Sequence, residues 1–246
     1  MASPLIWVFS SLGVFIDGAR SPSEFSDLTL NLLVPQTTAF SIWLPIFIGI
    51  LAYGIVQALP ANRSRALYRE SGWWMAAGLW GIAAWGLVTA YTPDKFVELL
   101  ASFIFMPTMI CLVVAMIKFW RKRETLKASE KWLVSTPISF IAGWCSLAVF
   151  VGLNGLIWNA VEPLGWHITG TALSVLGIAL WWAIYILRQQ AMNKAYALPI
   201  IWGLGFLSLR HFESDGSLWI GGTAGIGIFA ILLASTVQGR VKVIAK

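Results

Sequence analysis

Fifteen tryptophans sit in a chain of 246 residues, and they are the side chains best equipped for a chemical role. An indole offers a flat ring for stacking and one N–H donor that needs a partner wherever water is absent. Trp73, Trp74, Trp120, Trp132, Trp158, Trp166 and Trp219 lie at the ends of apolar runs, where indole rings anchor at the headgroup level of a bilayer. Trp43, Trp80, Trp85, Trp144, Trp181, Trp182 and Trp202 fall deeper in such runs. There a ring either packs between helices or lines a pocket for a flat apolar molecule, and both readings stay open.

Few polar residues are placed to share such a pocket. Asn154 lies within an apolar run, and His167 opens a stripe with Thr171, Ser174, Trp181 and Tyr185 on one side of a helix. A polar stripe in lipid is expected to face protein or a cavity. His167 and His211 share the acidic side of the chain and are placed to approach each other. For each, a hydrogen-bonded interfacial histidine stands as the ordinary alternative to a haem or chlorophyll ligand. Trp73 and Trp80 share a helix face, as do Trp74 and Trp85, so their stripes also fit plain helix packing.

What is missing narrows the function. No Lys, Arg, Asp or Glu lies near the middle of any apolar run, which argues against an ion-coupled transporter. Every lysine sits in a loop or at a run end, ruling out a buried retinal Schiff base. The 2 histidines cannot supply the axial pairs of a di-haem cytochrome, and no HExxH signature occurs. No nucleophile and base stand together, so the residues point to no enzyme and no metal site. Cys111 and Cys145 lack any ligand spacing and read as small buried hydrophobes.

The elements that must position these residues are membrane spans. With 58% hydrophobic and 11% charged residues and a mean hydropathy of +0.76, the chain reads as an all-α polytopic transmembrane helix bundle, a single domain over 1–246. Eight apolar runs cover about 3–17, 37–59, 72–92, 97–117, 133–153, 166–187, 195–209 and 217–237. The first reads as a retained short span, since no basic residue precedes it. Basic residues collect in alternate loops: Arg63, Arg65 and Arg69, then Lys118, Arg121, Lys122, Arg123, Lys127 and Lys131, then Arg188 and Lys194, then Arg240, Lys242 and Lys246. Only Arg20, Lys95 and Arg210 fall on the other side, beside most of the acidic residues. This pattern puts both termini in the cytoplasm and the protein in a membrane, expected to be the bacterial inner (plasma) membrane. It also speaks against nucleic acid as a partner; the tract at 118–132 is instead expected on anionic lipid headgroups. Ala77 with Gly81, and Gly221 with Gly225, are small-residue pairs that let helices approach closely.

Pro35, followed by Phe40 and Trp43 at the opening of the second run, resembles the TspO/MBR proteins, tryptophan-rich sensory proteins related to the peripheral benzodiazepine receptor. The run holding Trp144, Ala148, Leu153, Asn154, Ile157 and Trp158 is similar to the last helix of that family, although its Leu–Asn pair lies two residues farther from Trp144. The resemblance covers roughly 1–160 as a five-helix part, with 161–246 as three additional spans like those of longer tryptophan-rich relatives. It implies a pocket for tetrapyrroles, sterols or aromatic drugs, lined by Trp43, Trp144 and Asn154.

Residues and resemblance together lead to a non-enzymatic membrane protein that binds a flat apolar ligand in a Trp-lined pocket and acts as sensor, carrier or regulator. The expected ligand is a porphyrin, a chlorophyll-type pigment or a lipid, and the expected site is Trp43, Trp80, Trp85, Trp144, Asn154, His167 and Trp181. The alternative is a structural or accessory subunit of a larger photosynthetic or respiratory membrane complex, contacting partner subunits, pigments or lipids, or a homodimer. A facilitator for an uncharged solute is a third reading.

Overall fold

A computed structural model describes residues 19–20, 24–25, 28, 30–62, 65–191, 193–213 and 216–244. Seven long helices run through them. A tight turn at Thr37–Ile42 leads into α1 (Trp43–Ala58), followed by α2 (Ala66–Tyr91), α3 (Asp94–Arg121), α4 (Thr136–Val161), α5 (Ile168–Gln189), α6 (Lys194–Glu213) and α7 (Leu218–Ile244). No strand occurs among the described residues. The helices match the second to eighth apolar runs, whereas the first run, 3–17, lies outside the described residues. Thr37–Ala58, Ala66–Tyr91, Phe96–Arg121, Ala128–Leu164 and Ile168–Gln189 are each long and apolar enough to cross a membrane, and Leu218–Ala234 is a shorter apolar helix. Helix α6, with charged residues in both end turns, is not among them.

Helix α1 shows why such a chain belongs in lipid. Trp43, Ile46, Ile50 and Tyr53 face the interior, while Leu44, Ile48, Leu51 and Ile55 face outward with about three-fifths of their surface exposed. Both stripes follow helical spacing, and both are apolar. A helix apolar all round suits hydrocarbon on its outer side and protein on its inner side.

Polar contacts tie together the two ends of the bundle. At the basic end, Lys122 after α3 pairs with Glu70 in the first turns of α2 at 2.7 Å, and Arg65 pairs with the buried Glu130 ahead of α4. The Tyr68 hydroxyl and the Lys127 backbone N–H also donate to that carboxylate, at 3.1 and 3.0 Å. Asn193 caps α6 through the Ala195 N–H at 3.2 Å and donates to Ser139 of α4 at 2.9 Å. At the acidic end, Arg20 pairs with Asp94 and donates to the Thr89 carbonyl at 2.9 Å.

Helix α4 is the hub, packed against α1, α3, α5 and α6. Small residues permit that closeness. A Cβ at Gly143 would run into the Tyr196 backbone carbonyl and the Pro199 ring of α6, and one at Gly203 would sit 3.3 Å from the Trp144 ring. Between α2 and α3, Gly81 faces Thr108 and Gly78 faces Leu112. With little hydrophobic force between helices in lipid, such interlocking supplies the dispersion contacts that hold a bundle together.

Candidate functional site

Three helices deliver three indoles to one place. Trp43 is the first residue of α1, Trp85 lies in the second half of α2, and Trp144 lies in the first half of α4. The Trp43 and Trp85 rings stack at 6.3 Å and 27°, and Trp144 meets Trp43 edge-on at 6.1 Å and 85°. Phe40 is edge-on to Trp144 at 6.2 Å, Phe105 of α3 lies 5.0 Å from Trp85, and Phe25 approaches Trp85 edge-on at 6.1 Å. Offset and edge-to-face rings are the favoured aromatic geometries, each worth about 0.5–1.5 kcal/mol beyond area burial.

These rings enclose a cavity of about 100 Å³, which Ala148, Val149, Gly152, Ala101 and Ser102 also line. Leu176, Ala179, Gly203 and Leu207 complete its wall, so helices beyond residue 160 contribute to it. Asn31 and Glu98 stand at its polar end. Trp144 is 3% exposed, and its indole N–H has no hydrogen-bond partner. A buried donor left in this way costs about 1–3 kcal/mol.

The segment ahead of α1 is strapped in place by polar bonds. Arg210 Nη1 donates to the Val34 carbonyl at 2.6 Å, Gln36 Nε2 donates to Glu213 at 2.6 Å, and Asn31 Nδ2 donates to the Val151 carbonyl at 2.7 Å. The Trp202 indole N–H donates to the Ala39 carbonyl at 2.9 Å. His211 is buried: its Nδ1 accepts from the Ser217 N–H at 3.0 Å, and its Nε2 lies 2.8 Å from the Leu32 carbonyl. With the Nδ1 acting as acceptor, the ring proton sits on Nε2 and is donated to Leu32. The strap fixes where Phe40 and Trp43 point.

Of the expected site residues, Trp43, Trp85 and Trp144 meet on the cavity, and Asn154, 1% exposed, lies behind it on Asn31. Trp80, Trp181 and His167 do not join them. Trp80 is 52% exposed, because five residues along a helix turn it well away from Trp85, and the buried face of α2 runs through Met75, Gly78, Ile82 and Gly86. Trp181 is 64% exposed and stacks on Tyr185 at 5.6 Å, on the side of α5 opposite its buried Ala172, Val175, Leu176 and Ala179. His167 is exposed just before α5, and the ring nitrogens of His211 are already engaged with backbone groups. The stripe expected to face a cavity therefore faces outward, except for the buried Thr171.

Asn31, Ser102, Phe105 and Glu98 are site residues that periodicity alone does not single out. The charge pattern sets Glu98 among the acidic residues of the outer loops, but α3 begins at Asp94, directly after Pro93, and carries Glu98 inward to 9% exposure. Thr92-Pro93-Asp94 is a helix-start signal, and that signal puts Glu98 on the helix. Cys145 is buried, and both cysteines are free thiols. Among the described residues no group of three or more His, Cys, Asp or Glu stands together.

A family model described as TSPO-like protein matches residues 5–237. Comparison with curated proteins and with solved structures finds no match. The family match takes in all seven described helices up to residue 237, and most of those helices have the apolar lengths of membrane spans. The chain therefore belongs to the TSPO-like protein family and is an integral, multi-span membrane protein.

Proposed function

We propose that this protein binds a flat, ring-containing apolar molecule between Trp43, Trp85 and Trp144 and acts without chemical turnover, as a sensor, carrier or regulator. The observation that carries the reading is the convergence of three indoles from three helices on one interior cavity, where Trp144 keeps a buried N–H without an acceptor. Apolar burial and stacking supply the affinity, and a hydrogen bond from Trp144 supplies orientation. In this reading residues 1–160 carry most of the site and 161–246 close it, in a bacterial inner membrane with both termini cytoplasmic.

The size of the hollow sharpens the ligand. At about 100 Å³ it is smaller than most small-molecule sites, which run to roughly 300–1,000 Å³, and a cavity of roughly 150 Å³ is enough for one benzene ring. The hollow is thus smaller than one ring needs, and any flat ligand, naphthalene included, enters as the lining side chains move apart. A tetrapyrrole or sterol-like molecule enters only if α1 and α4 part, or leaves most of its body outside. The test is saturable quenching of tryptophan fluorescence in neutral detergent, with protoporphyrin and naphthalene as titrants. The reading predicts saturation with naphthalene and about two- to tenfold weaker binding after Trp85→Ala, the size of one lost stacking contact. Non-saturating partition, identical in wild type and variant, contradicts it.

A further inference from the structure

The basic end of the bundle, far from the aromatic cavity, carries more cations than its own carboxylates can use. Among the described residues each carboxylate there is taken: Glu70 by Lys122 at 2.7 Å, Glu130 by Arg65, and Glu124 by Arg123 at 3.9 Å. Helices α2 and α3 pack against each other, which sets the first turns of α2 beside the last turn of α3. Arg69 from α2 and Lys118 from α3 both lie within electrostatic reach of Glu70. Three cations thus surround one carboxylate, and Lys122 already holds it.

Depth and chemistry say what the surplus charge can hold. Arg69 is exposed and Lys118 half-buried, and neither forms an ion pair among the described residues. Trp73 follows Arg69 by one turn on the same face of α2 and is 84% exposed. An exposed indole at the end of a span marks the headgroup level, so Arg69 stands at the depth of the lipid phosphates. Trp80, seven residues beyond Trp73 and 52% exposed, continues that face as a wall for acyl chains. A guanidinium grips a phosphate through paired N–H donors, and an ammonium adds a point charge. A phosphate without a cation of its own neutralises the surplus, whereas a choline headgroup brings another positive charge to it. Lys127 and Lys131, ahead of α4, also lack an ion-pair partner among the described residues, but they do not bear on Glu70.

We infer that Arg69, Lys118 and Trp73 form a binding site for one anionic phospholipid headgroup at the junction of α2 and α3. The site is not the whole basic tract at 118–132, because Lys122 and Arg123 are engaged by Glu70 and Glu124, and it draws on α2 for two of its three side chains. The test is native mass spectrometry of the full chain in neutral maltoside detergent, titrated with dioleoylphosphatidylglycerol or dioleoylphosphatidylcholine. The first phosphatidylglycerol is expected to bind at least about fivefold tighter than phosphatidylcholine, the size of one cation near an anionic headgroup. The double variant Arg69→Gln with Lys118→Gln should lose that preference, while Lys127→Gln with Lys131→Gln removes the same charge and should keep it within about twofold. If the first pair disturbs the thermal transition, Arg69→Gln alone, at an exposed position, keeps the test alive and should weaken phosphatidylglycerol by about fivefold. Equal affinity for the two lipids overturns the site. Equal losses in the two double variants also overturn it, since they mean diffuse attraction to the whole basic end. Soluble glycerophosphoglycerol binding as tightly as the lipid overturns the lipid as occupant.

Discussion

Two aromatic pairs in this molecule look alike and live in opposite surroundings. Trp43 and Trp85 stack at 6.3 Å inside the bundle, and Trp181 and Tyr185 stack at 5.6 Å on the outer side of α5. The inner pair is met by Trp144 and Phe105 from neighbouring helices, with Phe40 behind Trp144, whereas Trp181 and Tyr185 are 64% and 47% exposed. In water, hydrophobicity would have decided which pair goes inside. In lipid both environments are apolar, and the deciding feature is a neighbour able to come close, such as Gly203 against the Trp144 ring or Gly81 against Thr108.

The largest expected effect separates these two regions directly. Trp144→Ala empties space at the hub of the bundle and should destabilise the protein by about 3–5 kcal/mol, read as a lower thermal transition in detergent. Trp181→Ala on the outer face should stay within about 0.5 kcal/mol of wild type. Similar losses for both would erase the distinction between inner and outer rings.

The glycines sharpen the same contrast at intermediate size. Gly143→Ala pushes a methyl into the Tyr196 carbonyl, a backbone atom that cannot swing aside, and should cost about 1–3 kcal/mol. Gly54→Ala, with nothing within 4 Å of the added carbon, should gain about 0.5–1 kcal/mol from helix propensity. Both are measurable as shifts in the same melting curve.

The identity of the helices was legible because apolar length and alternating loop charge need no tertiary information. Seven of the eight apolar runs reappear as helices, and the ion pairs Lys122–Glu70 and Arg65–Glu130 gather at the basic end. The site was legible only in part. Trp43 and Trp144 carry the resemblance to TspO/MBR proteins, and Trp85 shares their cavity. Depth in a run does not separate Trp80 and Trp181 from them, since a helix apolar on every side gives its inner and outer faces the same kinds of residue. Asn31 escapes for a different reason: it lies in an irregular segment whose position depends on Arg210, His211 and Val151, all far away in sequence.

The smallest effects concern polar groups of the two regions. Asn193→Ala removes the cap of α6 and the bond to Ser139, and should lower stability by about 1 kcal/mol. Ser174 on the outer stripe donates to the Gly170 carbonyl of its own helix, so Ser174→Ala should be nearly silent, within about 0.5 kcal/mol. A silent Asn193→Ala would mean that the α4–α6 junction is not where the bundle is held.

The convergence of inner indoles on a ligand cavity is tested most directly by fluorine resonance on protein labelled with 5-fluorotryptophan, each signal assigned by single Trp→Phe replacement and followed during titration with naphthalene. Saturating shifts at Trp43, Trp85 and Trp144, with Trp80 and Trp181 unmoved, are the predicted result. Shifts confined to Trp80 and Trp181, with the inner signals unchanged, would contradict it.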